Sequence, residues 1–252
     1  MIKDYGVCHL AVVPVRSEAS DTAEIVTQLL FGDYVKILEK GKPWIKIYFP
    51  ADDYEGYMDF KQLIYIEEDE FDQGTASNPT INTERNITVQ GPLGIQQLFF
   101  GASFPNKRGD RFYIGENQYQ LLSPIQPYVC TFVETSLSYQ NTPYLWGGKG
   151  IYGIDCSGLT QMVAKVHGRQ IPRDASQQVN TGKKIAFEDR QAGDLMFFIN
   201  PKGSIHHVGI LVEKDRIIHA SGHVRIDPCD EKGIYRKDFD DYTHKYHSIR
   251  RL

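Results

Sequence analysis

The sequence predicts two small all-β barrels followed by an α+β domain. Through the first half of the chain, short apolar segments recur about every 8–12 residues between turn residues, a spacing typical of small barrels. In the second half, apolar residues at helical spacing come before a series of strand-like segments, which is the order of an α+β domain. The predicted boundaries are residues 1–68, 69–127 and 128–252, and a chain of 252 residues is long enough for three small domains.

The first barrel is predicted from a hairpin pattern. Residues 34–38 and 44–48 are β-prone segments that flank the polar turn 39–42. Further apolar segments precede and follow them, at residues 10–15, 26–30 and 54–58. The sequence therefore predicts an all-β domain in residues 1–68.

The second barrel is predicted from a weaker signal. The acidic run at residues 67–70 breaks the apolar pattern, and we interpret it as a solvated linker that marks a soft boundary. Short β-prone segments then resume, at residues 87–89, 97–100, 111–114 and 119–122. Residues 98–102 (Leu-Phe-Phe-Gly-Ala) echo residues 29–33 (Leu-Leu-Phe-Gly-Asp), which favours a diverged second copy of the first domain.

The α+β domain is organised around residues 144–166. Glycines exclude a regular helix from the first half of this stretch. The second half has apolar residues at i, i+3, i+4 and i+7, which predicts a helix ending at Gly168; these residues are Leu159, Met162, Val163 and Val166. Asp155 is a candidate N-cap, so Cys156 falls in the first turn, where the helix dipole favours a thiolate of lowered pKa. The alternative is a small buried cysteine that packs the helix start.

Two histidines downstream favour a catalytic interpretation of this cysteine. Residues 206–212 and 217–221 read as neighbouring strands joined by a polar turn. An odd or bulged connection would place His219 near Gly209 and on the same face as His207, whereas an even connection would place it on the opposite face. A cysteine nucleophile needs a base, and the base needs an orienting group. The alternative is that both are ordinary strand histidines.

Six ordered blocks in the second half of the chain resemble the NlpC/P60 family of cysteine peptidases. They are Pro-Tyr-Leu-Trp-Gly-Gly at 143–148, Asp-Cys-Ser-Gly-Leu at 155–159, Pro-Arg-Asp-Ala-Ser-Gln-Gln at 172–178, Ala-Gly-Asp-Leu-Met-Phe-Phe at 192–198, His-Val-Gly-Ile at 207–210 and Ile-His-Ala-Ser at 218–221. In the first half, residues 28–33, the strand at Trp44 and the pair Gly56 and Tyr57 resemble a bacterial SH3-like (SH3b) module. The resemblance implies two SH3-like barrels followed by a papain-like α+β domain.

The resemblance also implies catalytic roles. Cys156 would be the nucleophile, His207 the general base, and His219 the group that holds the second nitrogen of His207. The oxyanion would be stabilised by the backbone N–H of Cys156 and the hydroxyl of Tyr144, unless Tyr144 is a plain core aromatic. Trp146 would form a wall of the cleft.

The family splits peptidoglycan stem peptides at γ-D-glutamyl bonds, and a subgroup with two SH3b domains cleaves before the diamino acid of peptides with a free N-terminal L-Ala. On that pattern Asp155 would bind the amine, unless it is only an N-cap. Ser157 and Ser176 would contact the D-Glu part. Tyr57 and Glu24 would close the amine end, although Glu24 is otherwise an ordinary surface charge.

Two alternatives stay open at this point. One is a hydrolase of intact cell wall that uses its SH3-like domains as wall binders. The other, of a different class, is a non-catalytic peptidoglycan-binding protein. The complete Cys/His/His set argues against the second.

The composition and charge of the chain exclude some classes of binding partner. The net charge of −4 gives no reason to expect nucleic acid binding. No segment approaches the roughly 20 apolar residues of a membrane span, and the N-terminus lacks a signal-like apolar run, so we expect no membrane insertion and a cytoplasmic protein. It would be periplasmic or extracellular if a signal had been removed. The four cysteines show no metal-binding spacing, so we expect no metal, and we expect a monomer without cofactor. The family resemblance implies that the partner is a muropeptide substrate, L-Ala-γ-D-Glu-diamino acid.

Overall fold

The structure, a computed structural model, describes residues 2–126 and 129–252. The chain divides into two units, Met1–Tyr128 and Val129–Leu252, and each is described by itself. Pro127 and Tyr128, where the predicted start of the α+β domain falls, lie outside the described residues.

The first unit begins with a seven-stranded antiparallel sheet in the order β3-β2-β6-β5-β4-β1-β7. Its strands are β1 (Tyr5–Cys8), β2 (Val12–Arg16), β3 (Ile25–Leu30), β4 (Tyr34–Glu39), β5 (Trp44–Phe49), β6 (Tyr54–Asp59) and β7 (Leu63–Ile66). A short 3-10 helix, Phe60–Gln62, leads into β7. Alternate residues of β5 are buried, namely Ile45, Ile47 and Phe49, and they join one apolar core with Val13, Leu29 and Met58. The predicted hairpin is therefore confirmed as β4 and β5.

The interpretation of the acidic run as a solvated linker was wrong. Glu68 begins a helix, α1 (Glu68–Ala76), whose acidic first turn suits the positive end of the helix dipole. Phe71 of this helix packs on the ring of Tyr5, with centroids 4.6 Å apart, and the Tyr5 hydroxyl donates to Glu68 over 2.6 Å. The aromatic contact holds the run against the first sheet.

The rest of the first unit forms two smaller sheets. Four strands take the order β10-β9-β13-β12, and two form the pair β11-β8. They are β8 (Thr80–Ile81), β9 (Asn86–Gly91), β10 (Gly94–Phe99), β11 (Ser103–Phe104), β12 (Arg111–Ile114) and β13 (Asn117–Leu121). Their apolar residues share a core with Val7 and Phe31 of the first region, among them Val89 and Phe112. The sequence predicted two similar barrels in this half of the chain. The described residues show one seven-stranded sheet and two smaller sheets, and so one clear SH3-like region and not two.

The second unit places helices before an antiparallel sheet, as the sequence predicted. Its elements are α2 (Phe132–Leu137), β14 (Lys149–Gly150), β15 (Gly153–Ile154), α3 (Cys156–Val166), α4 (Ala175–Gln178), β16 (Lys183–Ile185), β17 (Leu195–Ile199), β18 (Ile205–Glu213), β19 (Arg216–Ser221), β20 (His223–Pro228), β21 (Gly233–Arg236) and β22 (Asp241–Arg251). The sheet order is β16-β22-β17-β18-β19-β20, with β21 paired to β22. Helix α3 packs on β18 and β19, which brings its first turn to the middle of the sheet.

Among the described residues, no helix combines the length and apolar character that a membrane crossing requires.

Candidate active site

The first turn of α3 is fixed by a cap and by a close backbone approach. The Asp155 side chain accepts a hydrogen bond from the Gly158 N–H over 2.7 Å, so the predicted N-cap is confirmed. A Cβ atom on Gly158 would lie 2.3 Å from the carbonyl oxygen of Gly148, which excludes any side chain there. Of the predicted apolar stripe, Leu159, Met162 and Val163 are fully buried and Val166 is partly buried. Cys156 is consequently held at a rigid helix start.

The expectation of a lowered pKa at Cys156 was wrong. Burial raises the pKa of the Cys156 thiol to about 12, and the negative charge of Asp155 adds to the effect. Hydrogen bonds from the backbone N–H groups of Val208 and Ser157, together with the charge of Arg173, lower this pKa only in part. Loss of water contact therefore outweighs the helix-end field, and the resting group is a thiol.

The two predicted histidines face each other. Strands β18 and β19 pair Ile210 with Ile218, and the pairing register shifts between Leu211 and Glu213. This bulge supplies the odd connection that the sequence analysis considered, and His207 Nε2 lies 2.8 Å from His219 Nδ1. Both imidazoles are buried. The contact between Cys156 and the backbone of Val208 puts the sulfur beside the residue that follows His207.

Both of these imidazoles are neutral at physiological pH. Burial holds the pKa of His207 well below 6.5, and the nearby His219, His244 and His206 oppose a further positive charge. Burial also lowers the pKa of His219, against the opposing effect of a hydrogen bond to Asp227. A neutral imidazole beside a thiol is chemically able to accept its proton.

Asp227 is a site residue that the sequence analysis missed. Its Oδ2 lies 2.9 Å from His219 Nε2, and its Oδ1 accepts from Arg225 Nη2 over 2.8 Å. Burial alone would raise the pKa of Asp227. The hydrogen bonds from His219 and Arg225 lower it by more than burial raises it, so the pKa of Asp227 is below its usual value. Strand β20 pairs Arg225 with His219, which sets Asp227 on the same face two residues along. The period-2 rule could have found it once β20 was placed next to β19.

His244 and His206 complete a group of four imidazoles. His244, on β22, stacks on His207 with ring centroids 4.1 Å apart and an angle of 30° between the planes. The centroid of the His206 ring lies 5.7 Å from that of His244, and His244 Nδ1 lies 2.8 Å from the Thr243 hydroxyl. Burial and the neighbouring imidazoles lower the pKa of His244 to about 3. No sequence pattern predicted this contact, because it depends on the pairing of β22, which comes last in the chain, with β17 in the sheet.

Tyr144 remains a candidate for the oxyanion site. It is half-buried, and its backbone forms a bridge to Ile154, just before Asp155. Burial raises the pKa of Tyr144 well above 10, and negative charge at Cys156 or Asp155 raises it further. The phenol therefore keeps its proton and can donate a hydrogen bond. Trp146 is 60% exposed, which is compatible with a cleft wall.

The Asp155 carboxylate accepts several hydrogen bonds besides the one that caps the helix. The guanidinium of Arg173, which is 1% exposed, forms a two-pronged pair with it, at 3.0 Å from Nη1 to Oδ1 and 2.6 Å from Nη2 to Oδ2. Gly147 and Gly158 donate their N–H groups and Ser157 its hydroxyl, so five hydrogen bonds reach the two carboxylate oxygens. A carboxylate has about four lone-pair positions, so Asp155 is saturated within its own unit.

The other predicted substrate residues are divided between the two units. Ser157 is buried and donates to Asp155 while accepting from Arg173, whereas Ser176 is exposed on α4. Tyr57 lies on β6 and Glu24 precedes β3, both in the first unit. The roles of these residues toward a substrate stay predictions.

Across residues 2–126 and 129–252, no group of three or more His, Cys, Asp or Glu side chains is arranged to hold a metal ion. The four imidazoles contact one another mainly by ring stacking and edge contacts.

Two protein-family models match this chain, and one of them covers the residues of the candidate site. The model of the NlpC/P60 family matches residues 141–242, which contain Cys156, His207 and His219. The model of the bacterial dipeptidyl-peptidase SH3 domain matches residues 15–63, within the seven-stranded sheet.

Two curated relatives carry the same name. The γ-D-glutamyl-L-lysine dipeptidyl-peptidase of Bacillus subtilis is 31% identical over 216 residues, covering 78% of this chain and 72% of the relative. The protein of that name from Bacillus cereus is 28% identical, covering 90% of this chain and 75% of the relative.

Solved structures show the same fold over nearly the whole chain. An NlpC/P60 family protein from Bacillus cereus superposes with a TM-score of 0.78 at 20% identity, covering 98% of this chain and 99% of that one. An NlpC/P60 endopeptidase from Photobacterium damselae gives a TM-score of 0.71 at 16% identity, covering 97% of this chain and 70% of that one.

Proposed function

Because this chain belongs to the NlpC/P60 family of cysteine peptidases and carries a bacterial SH3 domain, we propose that it hydrolyses the γ-D-glutamyl–diamino acid bond of peptidoglycan stem peptides. The substrate would carry a free N-terminal L-Ala, and the product would be L-Ala-γ-D-Glu, as in the recycling of murein peptides. The observation that carries the proposal is a buried thiol at a helix start that contacts the backbone N–H of Val208, the residue after His207, while His219 holds the imidazole of His207.

The proposed reaction starts from the neutral pair. As the Cys156 sulfur attacks the γ-glutamyl carbonyl, its proton passes to His207, so the thiolate exists only while it bonds to carbon. The backbone N–H of Cys156 and the phenol of Tyr144 stabilise the oxyanion. His207 then gives the proton to the departing amine of the diamino acid, and water hydrolyses the thioester.

The relatives support the choice of bond. Both curated proteins are named for the bond between γ-D-glutamate and L-lysine, and the alignments cover at least 78% of this chain. Stem peptides carry either lysine or diaminopimelate at this place, so both tripeptides belong in the assay.

The test uses L-Ala-γ-D-Glu-L-Lys and its diaminopimelate counterpart, with release of the free diamino acid as the readout. We expect Cys156→Ala to lower turnover by roughly 10⁴-fold or more, since the acyl step loses its nucleophile. Cys130→Ser is the matched control, because Cys130 is exposed and lies outside α3. Unchanged turnover by Cys156→Ala would end the catalytic assignment and favour a non-catalytic binding protein.

The same assay separates free muropeptides from intact wall. Peptides still joined to muramic acid have an uncharged amide in place of the L-Ala amine. We expect N-acetylation of the tripeptide to lower kcat/KM by at least about 10²-fold, the scale of losing one charged contact in a closed site. Equal cleavage of both forms would instead favour an enzyme that acts on the wall.

We also propose that the predicted domain 69–127 contains a second, diverged SH3-like barrel, built from strands β8 to β13. Its support is a shared turn: Gly32 and Gly101 both have φ +84°, and in each case the next residue's N–H bonds back to the residue two before the glycine. The two turns lie at the same place in the echoed segments 29–33 and 98–102.

A further inference from the structure

Three polar side chains beyond Cys156 form a single line through the sheet. His207 Nε2 contacts His219 Nδ1 over 2.8 Å, and His219 Nε2 contacts Asp227 Oδ2 over 2.9 Å. The line crosses β18, β19 and β20, and all three side chains are buried. In such a line the end group decides which atom of every other group carries a proton.

The protonation pattern follows from hydrogen-bond chemistry. An ionised carboxylate only accepts, so His219 must carry its proton on Nε2 and donate it to Asp227. A neutral imidazole has one N–H, so His219 Nδ1 is bare and accepts a hydrogen bond. His207 Nε2 must then be the donor, which leaves His207 Nδ1 bare. Because Nε2 is committed to His219, Nδ1 is the nitrogen left for the thiol proton.

We infer that Asp227 is a positioning residue that fixes the tautomers of His219 and His207, so that the lone pair of His207 Nδ1 is available to Cys156. This inference rests on the proposed role of His207 as the base. Arg225 supports Asp227 by donating to Oδ1 over 2.8 Å, which stabilises the ionised form. Asp227 touches neither the sulfur nor the substrate in this scheme and acts through two imidazoles.

An amide at position 227 should remove this control. Asparagine has nearly the shape of aspartate, but it can offer either its carbonyl or its NH₂ group to His219. When NH₂ faces His219, Nε2 becomes the acceptor, Nδ1 carries the proton, and His207 is pushed into the form whose Nδ1 is already protonated. The same logic explains why an amide substitution in the serine protease triad is damaging although geometry is kept.

The first readout needs no substrate. In protein labelled with ¹⁵N-histidine, nitrogen NMR distinguishes bare from protonated ring nitrogens. We expect the wild-type protein to have both Nδ1 atoms of His207 and His219 bare, and Asp227→Asn to populate the Nδ1-protonated forms. A wild-type spectrum with a protonated His207 Nδ1 would overturn the inference without any variant having to fold.

The second readout is the chemistry of the thiol. Alkylation of Cys156 by iodoacetamide, measured in a Cys130→Ser background, reports proton removal without peptide binding. We expect Asp227→Asn to slow alkylation and to lower kcat for L-Ala-γ-D-Glu-L-Lys by about 10²-fold, with KM little changed. Arg225→Met is the matched control, because it breaks the same ion pair but keeps the acceptor on His219, and we expect a loss below about 5-fold.

The outcomes separate the two proposals. Equal losses in Asp227→Asn and Arg225→Met, at equal unfolding midpoints, would reduce Asp227 to a member of an ion pair and overturn the inference. So would a wild-type tautomer pattern in Asp227→Asn. If the wild-type protein shows the inferred pattern and is alkylated faster than Asp227→Asn but leaves the tripeptide intact, the proposed substrate fails and the role of Asp227 stands.

Discussion

His207, His219 and His244 all have pKa values below that of free histidine, because burial disfavours their charged forms. Stacking of His207 on His244 adds mutual repulsion, since two imidazolium rings 4.1 Å apart cannot both be stable. The fold therefore keeps the base neutral. The same arrangement costs stability in acid, because the unfolded chain can bind protons that the folded chain cannot.

The sign of this effect can be worked out. Between the unfolded value of about 6.5 and the lower folded values, the unfolded state binds more protons, so stability falls as pH falls. At about 1.4 kcal/mol per pH unit for each unfolded imidazole that is fully protonated, His207 and His244 together give a slope approaching roughly 3 kcal/mol per pH unit near pH 5.5, and the lowered pKa of His219 adds to it. We expect His244→Phe, which keeps a ring on His207, to reduce this slope by about 1.4 kcal/mol per pH unit. Urea unfolding at several pH values measures it, and an unchanged slope would contradict the role given to His244.

The first turn of helix α3 is held by hydrogen bonds from two residues that come after the helix in the chain. Arg173 reaches back to Asp155 and Ser157, and Gln178 Nε2 donates to the carbonyl of Ser157 over 3.0 Å. The block at residues 172–178 thus acts as a clamp on the helix start. The positive charge of Arg173 also lowers the pKa of Cys156, but burial and the charge of Asp155 raise it by more.

Removing the clamp should affect both stability and the thiol. Arg173→Met leaves the Asp155 carboxylate buried without its cation, and we expect a loss of about 3–5 kcal/mol in the free energy of unfolding. The pKa of Cys156 should rise further, so alkylation at a given pH should slow. Arg169→Met, on an exposed residue just after α3, is the control. Equal effects of the two substitutions on both measurements would refute the clamp.

The sequence anticipated the elements that local rules govern. The hairpin of β4 and β5, the cap at Asp155 and the facing pair of His207 and His219 follow from turn residues, capping and strand periodicity. The misses have nonlocal causes. The acidic run became α1 because Phe71 packs on Tyr5, and the pKa of Cys156 rose because tertiary packing removed water. Asp227 and His244 could be found only after the strand order was known.

At the scale of the whole molecule, each unit has apolar core clusters of its own. One cluster in the second unit contains Ile234, Met196 and Ile249, while the clusters around Ile47 and Phe112 belong to the first. A unit with its own core can in principle unfold by itself. The two tryptophans, Trp44 and Trp146, fall one in each unit and can report on each separately.

A core substitution in one unit should therefore be seen by one tryptophan. Ile234 is fully buried, and we expect Ile234→Ala to cost about 2–5 kcal/mol in the second unit. In a Trp44→Phe background, Trp146 fluorescence should show a lower urea midpoint. In a Trp146→Phe background, Trp44 should report an unchanged one. Equal shifts at both tryptophans would mean that the chain unfolds as one cooperative body.

The contact between the Gly148 carbonyl and Gly158 has a consequence for how relatives are recognised. Position 158 has no room for a Cβ atom, whereas at Gly150 a Cβ would meet nothing within 4 Å. The glycine of the Asp-Cys-Ser-Gly signature is thus demanded by steric fit at the helix start, independently of sulfur chemistry. Homologues that have exchanged the cysteine and lost activity should still keep this glycine, so a search that weights it will collect inactive members together with enzymes.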